Sequence, residues 1–379
     1  MFPTPLLRYP NMPGVAQHLP DAASIEDDHS IDLDIFQCSG CGLVQLDTEP
    51  VPYFREVIRA VGVSQEMKAF RRGQFLEFVR QNGLSGKKLI EIGCGRGEYL
   101  SLLRETGADA YGLEWDENAV RTCTASGLTV ARGFVEEEAC RIPGAPFEGF
   151  AIISFFEHLP QPNTILRGIA NNLTPNAVGL LEVPNFDMIL RAHMFSEFMR
   201  DHLFYFTRRT LATTLELNGF EVQEIGEVWY GYILSAVVRK RSPLDLAAFA
   251  AHQSKLKAEL DDFLGRNVRV AAWGAGHQAL AILALMGLGG KLRYVVDSAA
   301  FKQGKLTPVS HIPIVAPDTL RSDPVDAIVI MAGSFNDEIT RVVRQQFDPE
   351  IKIGVLRDFG LELLGQAHEH CQPPGPLLR

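Results

Sequence analysis

Glu91-Ile-Gly-Cys-Gly-Arg-Gly97 sets Gly93, Gly95 and Gly97 at alternate positions behind an acid, a pattern that can seat a nucleotide-like ligand. Glycine adopts φ > 0, puts no side chain in the ligand's way and leaves N–H groups exposed at a helix start. Glu114 ends the next apolar run, where a carboxylate accepts hydrogen bonds from ribose hydroxyls. Trp115 beside it belongs to the same cofactor set, and Phe134 could flank an adenine ring or serve as ordinary core. A second group is Asp201-His202, set among Leu203, Phe204, Tyr205 and Phe206. A histidine beside an acid is either a general base with an orienting partner or a core histidine satisfied by its neighbour. Gly274-Ala-Gly276 could form another nucleotide loop, with Asp297, Lys302, Lys305 and Thr307 after it. Lysines beside such a turn bind a diphosphate as point charges, and a solvated loop is the alternative. Cys38-Ser-Gly-Cys41 is half a zinc site: zinc takes four ligands, and only His18 and His29 lie near enough to substitute.

The elements that must position these residues alternate in type from Lys88 to about Lys240. Strands are expected at Lys88–Ile92, Ala110–Leu113, Leu128–Ala131, Phe150–Ser154 and Ala177–Val183, then Glu221–Val228 with Tyr232–Arg239 as a hairpin. Such alternation implies a largely parallel, doubly wound α/β sheet. A helix over Gln65–Asn82 leads into the glycine loop. Before it, Asp32–Gln37 and Leu43–Leu46 read as strands on either side of the cysteine pair. Ser242-Pro243 is expected to open a linker helix, serine as N-cap and proline at the first position, closing at Gly265. A second α/β unit starts at Val268, with a strand to Trp273, a helix from Gln278 and strands at Leu292–Val296 and Asp326–Met331. The expected division is 1–62, 63–241, the helix 242–266, and 267–379.

The chain has 379 residues, 46% hydrophobic and 22% charged, as in a soluble globular protein of more than one domain. Its net charge of −10 opposes general affinity for nucleic acid or anionic membrane. No apolar run approaches the roughly 20 residues that span a bilayer, and Met1–Pro10 has no signal-peptide core. Scattered cysteines, including Cys94, Cys123, Cys140 and Cys371, suit a reducing, cytoplasmic home rather than a disulfide framework. Monomer and homodimer both stay open.

Starting from an acidic strand end, the Gly93–Gly97 loop resembles motif I of class I S-adenosylmethionine methyltransferases more than a dinucleotide loop. Ser154-Phe155-Phe-Glu-His158-Leu-Pro resembles the segment that closes over the methionine end of that cofactor, which brings in Phe155 and His158. Across nearly the whole chain the segments resemble, in order, the C-methyltransferases of nucleotide-linked keto-deoxysugars. Phe36–Leu46 is similar to the second zinc knuckle of that family and Asp201–Thr207 to its E-H-x-x-x-F segment. Asp297–Ile314 resembles a signature of its C-terminal domain. The resemblance implies a zinc-ribbon-like N-terminal segment, a central Rossmann-like cofactor domain with S-adenosylmethionine, and a Rossmann-like C-terminal domain that helps hold a nucleotide-linked keto-sugar. Gly274, Gly276, Asp297, Lys302 and Tyr205 are the expected substrate contacts.

Three departures stand out. The first cysteine pair of the family is absent, implying either a start further upstream or a lost zinc site. Met199 replaces a tyrosine, and Trp229-Tyr230-Gly231 replaces a His-Gly-Gly stretch. The implied chemistry is removal of a proton beside a ketone and attack of the enolate carbon on the sulfonium methyl. His202, held by Asp201, is the expected base, and His158 the expected donor to the enolate oxygen. Three alternatives stand beside it: methylation of an oxygen or nitrogen, a non-catalytic binding protein, and a dinucleotide oxidoreductase.

Overall fold

A computed structural model describes residues 1–17, 19–55 and 64–365; His18, Cys371 and the boundary expected at residue 62 lie outside the described residues. The chain divides into two units, Met1–Pro243 and Leu244–Arg379.

The first unit opens with β1 (Leu7–Met12), β2 (Ile31–Gln37) and β3 (Val44–Leu46). Helix α1 (Gln65–Gln81) follows, its first turn closed by Ser64, whose side chain accepts from the Met67 N–H. Then come β4 (Lys88–Ile92), α2 (Glu98–Glu105), β5 (Asp109–Glu114), α3 (Glu117–Ala125), β6 (Thr129–Arg132) and β7 (Phe147–Ile153). The unit continues with α4 (Pro162–Ala170), β8 (Leu173–Pro184), α5 (Phe186–Arg191), β9 (Phe204–Tyr205), α6 (Arg208–Leu217), β10 (Phe220–Val228) and β11 (Ile233–Lys240). The main sheet runs β10-β11-β8-β7-β4-β5-β6. It is parallel from β8 to β6, and the expected hairpin β10–β11 joins antiparallel to β8. Leu89, Ile90 and Ile92 of β4, and Phe150 to Ile153 of β7, are buried, as strands covered on both faces must be. The chain leaves β4 toward β5 and β6, then returns on the other side through β7. The β4/β7 crevice is therefore the switch point at which such sheets bind ligands.

A second, antiparallel sheet runs β1-β2-β3-β9. Here Val44 faces Tyr205 and Gln45 faces Phe204, so the N-terminal strands clamp the segment just after His202. Sequence reasoning expected neither β1 nor β9. The exposed, proline-broken β1 lacks a strand's alternation, and the two-residue β9 has no period to read. The strands expected in the main sheet all form, with ends shifted by a few residues.

The second unit begins with α7 (Ala247–Gly265), four residues beyond the expected proline start. Ser242 does not cap it. Its hydroxyl donates to Asn176 Oδ1 instead, and Asp245 Oδ1 accepts from the Ala247 N–H at the observed start. Then follow β12 (Val270–Trp273), α8 (His277–Leu285), β13 (Val295–Val296), β14 (Ile314–Val315), α9 (Thr319–Ser322), β15 (Ala327–Ile330), α10 (Asn336–Gln346), β16 (Lys352–Arg357) and β17 (Gly360–Leu364). The sheet order β14-β13-β12-β15-β16-β17 is parallel except for β17. Leu256, Leu260 and Phe263 of α7 pack into this unit's core, so the helix is part of it rather than a free linker. Its switch point lies between β12 and β15, beside the Gly274–Gly276 turn.

Candidate active site

The glycine loop leaves β4 with Gly93, Gly95 and Gly97 all at positive φ. Space as well as backbone conformation requires Gly93: a Cβ there would sit 2.5 Å from the Phe155 ring. Phe155, which follows β7 and is itself buried, thus closes directly on the loop. Glu114 ends β5, its Oε2 accepting from the Gly95 N–H at 2.8 Å and its Oε1 from the Asp116 N–H at 2.9 Å. One carboxylate therefore shapes the loop from the end of the neighbouring strand. Glu91 is fully buried at the base of the loop. Cys94 and Cys123 lie against each other behind it; their mutual hydrogen bond, then burial, raises the Cys94 thiol pKa.

Trp115 and Phe134 gather around Arg55, whose guanidinium lies 5.2 Å and 5.3 Å from their rings. Phe54 packs edge-on against Phe134 with ring centroids 5.8 Å apart, and Arg55 pairs with Glu136 at 2.8 Å. This aromatic and cationic wall suits an adenine ring. Phe54 and Arg55 carry no sequence signal. They come from a non-periodic stretch that only tertiary packing brings here.

Beyond Phe155, a short turn (Phe156–His158) buries Glu157 and His158. Burial pushes the Glu157 pKa up to about 8, and its Oε2 has no hydrogen-bond partner among the described residues. Nδ1 of His158 lies 2.6 Å from the Asp201 carbonyl oxygen. Only an N–H can pair with a carbonyl, so Nδ1 carries the proton and Nε2 the lone pair. Burial, then the neighbouring His202, pushes the His158 pKa down to about 3 and keeps the ring neutral. In this tautomer His158 Nε2 carries a lone pair rather than the N–H that the expected donor role needs.

The His202 ring sits edge-on to His158 with centroids 4.7 Å apart. Burial lowers its pKa, while the charges of Asp201 and Glu197 oppose the shift. Asp201 does not hold the His202 ring. Its Oδ1 instead accepts from the Tyr53 hydroxyl at 2.7 Å, an interaction 148 positions apart in sequence. Within the turn closed by the His202 N–H on the Met199 carbonyl, the Asp201 side chain points to Tyr53, so Asp201 acts on His202 through its field and through its grip on His158. Tyr205 also departs from its expected substrate role. It is buried, and its hydroxyl accepts from the Met199 N–H at 3.0 Å, which fixes the turn before His202. Tyr232 donates to Glu197 at 2.7 Å on the same side, next to a turn in which Trp229, Tyr230 and Gly231 all take positive φ.

A buried ion pair supports this end of the sheet. Arg71 of α1 bonds to Glu182 of β8, and both are essentially inaccessible. Gln74 bridges Glu182 and Ser235.

In the second unit Asp297 Oδ2 accepts from the Ala275 N–H and from Lys302 Nζ, at 2.8 and 2.9 Å. Burial opposes ionisation of Asp297, but Lys302 and the N–H groups of Ala299 and Ala275 more than offset it, and the pKa falls. Gly274, Gly276, Asp297 and Lys302 line one cavity of about 440 Å³. Lys302 is committed to Asp297 and to the Ala275 carbonyl, so it braces the turn rather than offering the free point charge expected.

Cys38 and Cys41 face each other in the turn between β2 and β3, both as free thiols. Among the described residues no third histidine, cysteine or carboxylate joins them at ligand distance. Two donors do not make a structural zinc site, and no zinc is assigned here.

The sequence matches the methyltransferase domain family over residues 66–225 and the C-methyltransferase C-terminal domain over residues 246–353. The chain is similar to C-methyltransferase NovU of Streptomyces niveus, 26% identical over 349 residues and covering 81% of each chain. It is also similar to a ubiquinone biosynthesis O-methyltransferase of Methylococcus capsulatus, 32% identical over 27% of this chain and 45% of that protein. A SAM dependent methyltransferase of Aquifex aeolicus aligns in structure over 44% of this chain and 89% of its own, at 18% identity and TM-score 0.36.

Proposed function

The chain is an S-adenosylmethionine-dependent C-methyltransferase, and from that premise we propose that it methylates a nucleotide-linked keto-sugar at the carbon beside the ketone. When bound, S-adenosylmethionine supplies a methyl group on a sulfonium centre. Glu114 is assigned to the ribose, Trp115 and Phe134 to the adenine, and Phe155 with the N–H groups of the glycine loop to the methionine end.

A carbon nucleophile needs a base. The observation that carries the reading is the edge-on pair of imidazoles, half-buried His202 against buried His158, the latter in the turn directly after the ring that closes on Gly93. His202 takes the proton from the carbon beside the ketone. The Asp201 charge then stabilises the imidazolium, and the Tyr53 hydroxyl keeps that carboxylate in place. His158, pinned through Nδ1, holds the His202 ring on its edge. Enclosure of these groups strengthens every electrostatic term among them. The Asp297-braced turn of the second unit is assigned, by itself, to binding a nucleotide through the N–H groups at the start of α8.

The test supplies S-adenosylmethionine with an isotopically labelled methyl and a panel of nucleotide-linked keto-sugars. NMR of the product should place the label on carbon, with loss of the proton beside the ketone. A label on oxygen or nitrogen overturns the reading.

A further inference from the structure

Glu157 presents an unusual combination beside the two histidines. Its carboxyl is enclosed, its Oε2 has no partner among the described residues, and its Oε1 lies 3.8 Å from His158 Nε2. An enclosed carboxyl with one oxygen left without a donor is costly unless it stays protonated or a cation joins it. Nε2 of His158 offers a lone pair because Nδ1 is committed to the Asp201 carbonyl. A carbonyl behind the far nitrogen of a histidine is the outer arrangement that orients imidazoles on metals. His202 adds a second imidazole. One donor atom from each of the three residues lies within 4.8 Å of the other two. Ligands around tetrahedral zinc stand about 3.3 Å apart, given bonds of about 2.0–2.2 Å. Closing the gap takes a contraction of at most about 1.5 Å between any two donor atoms, which side-chain torsions can supply.

We propose that Glu157, His158 and His202 form a site for a divalent transition-metal ion of the zinc type, which binds the acceptor-free enzyme and competes with the acceptor. Two imidazole nitrogens with one carboxylate suit zinc, cobalt or nickel. Magnesium and calcium prefer all-oxygen shells. Three protein ligands leave the fourth position to water. The ion occupies the lone pair that His202 uses on the substrate, so the metal-bound enzyme is inactive. This inhibitory consequence rests on the assignment of His202 as base, whereas metal binding itself does not.

The probe is Co(II), added to the tag-free full chain carrying Cys38→Ser and Cys41→Ser so that those thiols contribute no ligands. The expected result is one ion per chain with the visible d–d absorption of four-coordinate cobalt and no thiolate charge-transfer band. Glu157→Gln and His158→Gln should each weaken cobalt binding at least about tenfold, while binding of S-adenosylhomocysteine shows that both variants are folded. Zinc should inhibit turnover competitively with the acceptor, and magnesium should not. Absence of the cobalt spectrum, or unchanged affinity in both variants, overturns the site. A spectrum that appears without competition overturns the inhibitory role. Failure of the base assignment shows separately, as turnover retained by His202→Ala whatever the cobalt result.

Discussion

Replacing Gly93 and Gly95 by alanine in parallel separates two costs in the cofactor loop. Both residues have positive φ, +69° and +56°, so both substitutions incur the left-handed penalty of about 1–2 kcal/mol. Their surroundings differ. A Cβ at Gly95 finds only Glu98 Oε2, at 3.6 Å, which is ordinary contact. A Cβ at Gly93 meets three ring carbons of Phe155 at 2.5 to 2.8 Å. The buried ring must move, and overpacking of this type costs a further 1–3 kcal/mol or so. Phe155 directly precedes the turn that carries Glu157 and His158, so its displacement reaches His158 and the His202 ring packed on it. Gly93→Ala should therefore exceed Gly95→Ala by about 1–3 kcal/mol, roughly 5- to 150-fold when expressed in affinity. The assays are calorimetric binding of S-adenosylhomocysteine and urea unfolding of the free protein. Gly93→Ala should also lower kcat at saturating cofactor, which Gly95→Ala should not. Equal costs for the two variants in both assays would refute the claim that Phe155 packs on the loop.

Other substitutions test other parts of the site. Glu114→Ala removes two charge-assisted N–H bonds and the carboxylate proposed for the ribose, so cofactor affinity should fall at least about tenfold by calorimetry, at about 1.5–3 kcal/mol for each such bond. Tyr53→Phe leaves the Asp201 carboxylate without its donor; kcat should drop about 5- to 150-fold, for about 1–3 kcal/mol, with cofactor affinity unchanged. Arg71→Met strands the buried Glu182 and should cost about 3–5 kcal/mol in urea unfolding, whereas Arg71→Met with Glu182→Leu should recover most of that loss. Asp297→Ala should weaken binding of a nucleoside diphosphate while leaving that of S-adenosylhomocysteine unchanged.

The parts of this fold that could be read from sequence are those written in local patterns. Lys88–Ile92 followed by the glycines and Glu114 declares a strand, turn, helix and acid within one short stretch, and the structure assembles them so. Asp201-His202 was visible as a chemical pair, but not its wiring. The carboxylate turns to Tyr53 and the carbonyl to His158, contacts set by β3 pairing with the two-residue β9. Arg55, Phe54 and Tyr53 sit in a proline-flanked stretch without periodicity, so nothing local marks them. Lys302 looked like a free cation because sequence does not show that Asp297 and a main-chain carbonyl already hold it. Ser242-Pro243 carried sound capping chemistry, yet the serine hydroxyl found Asn176 instead.

The central claim is that His202 deprotonates the carbon beside the acceptor ketone. Its most direct measurement is deuterium exchange at that carbon, followed by NMR, with enzyme, S-adenosylhomocysteine and a nucleotide-linked keto-sugar in deuterium oxide. The wild-type protein should exchange the proton without any methyl transfer, and His202→Ala should exchange about 10²- to 10⁴-fold more slowly with normal binding of both ligands. Undiminished exchange in His202→Ala would contradict the account.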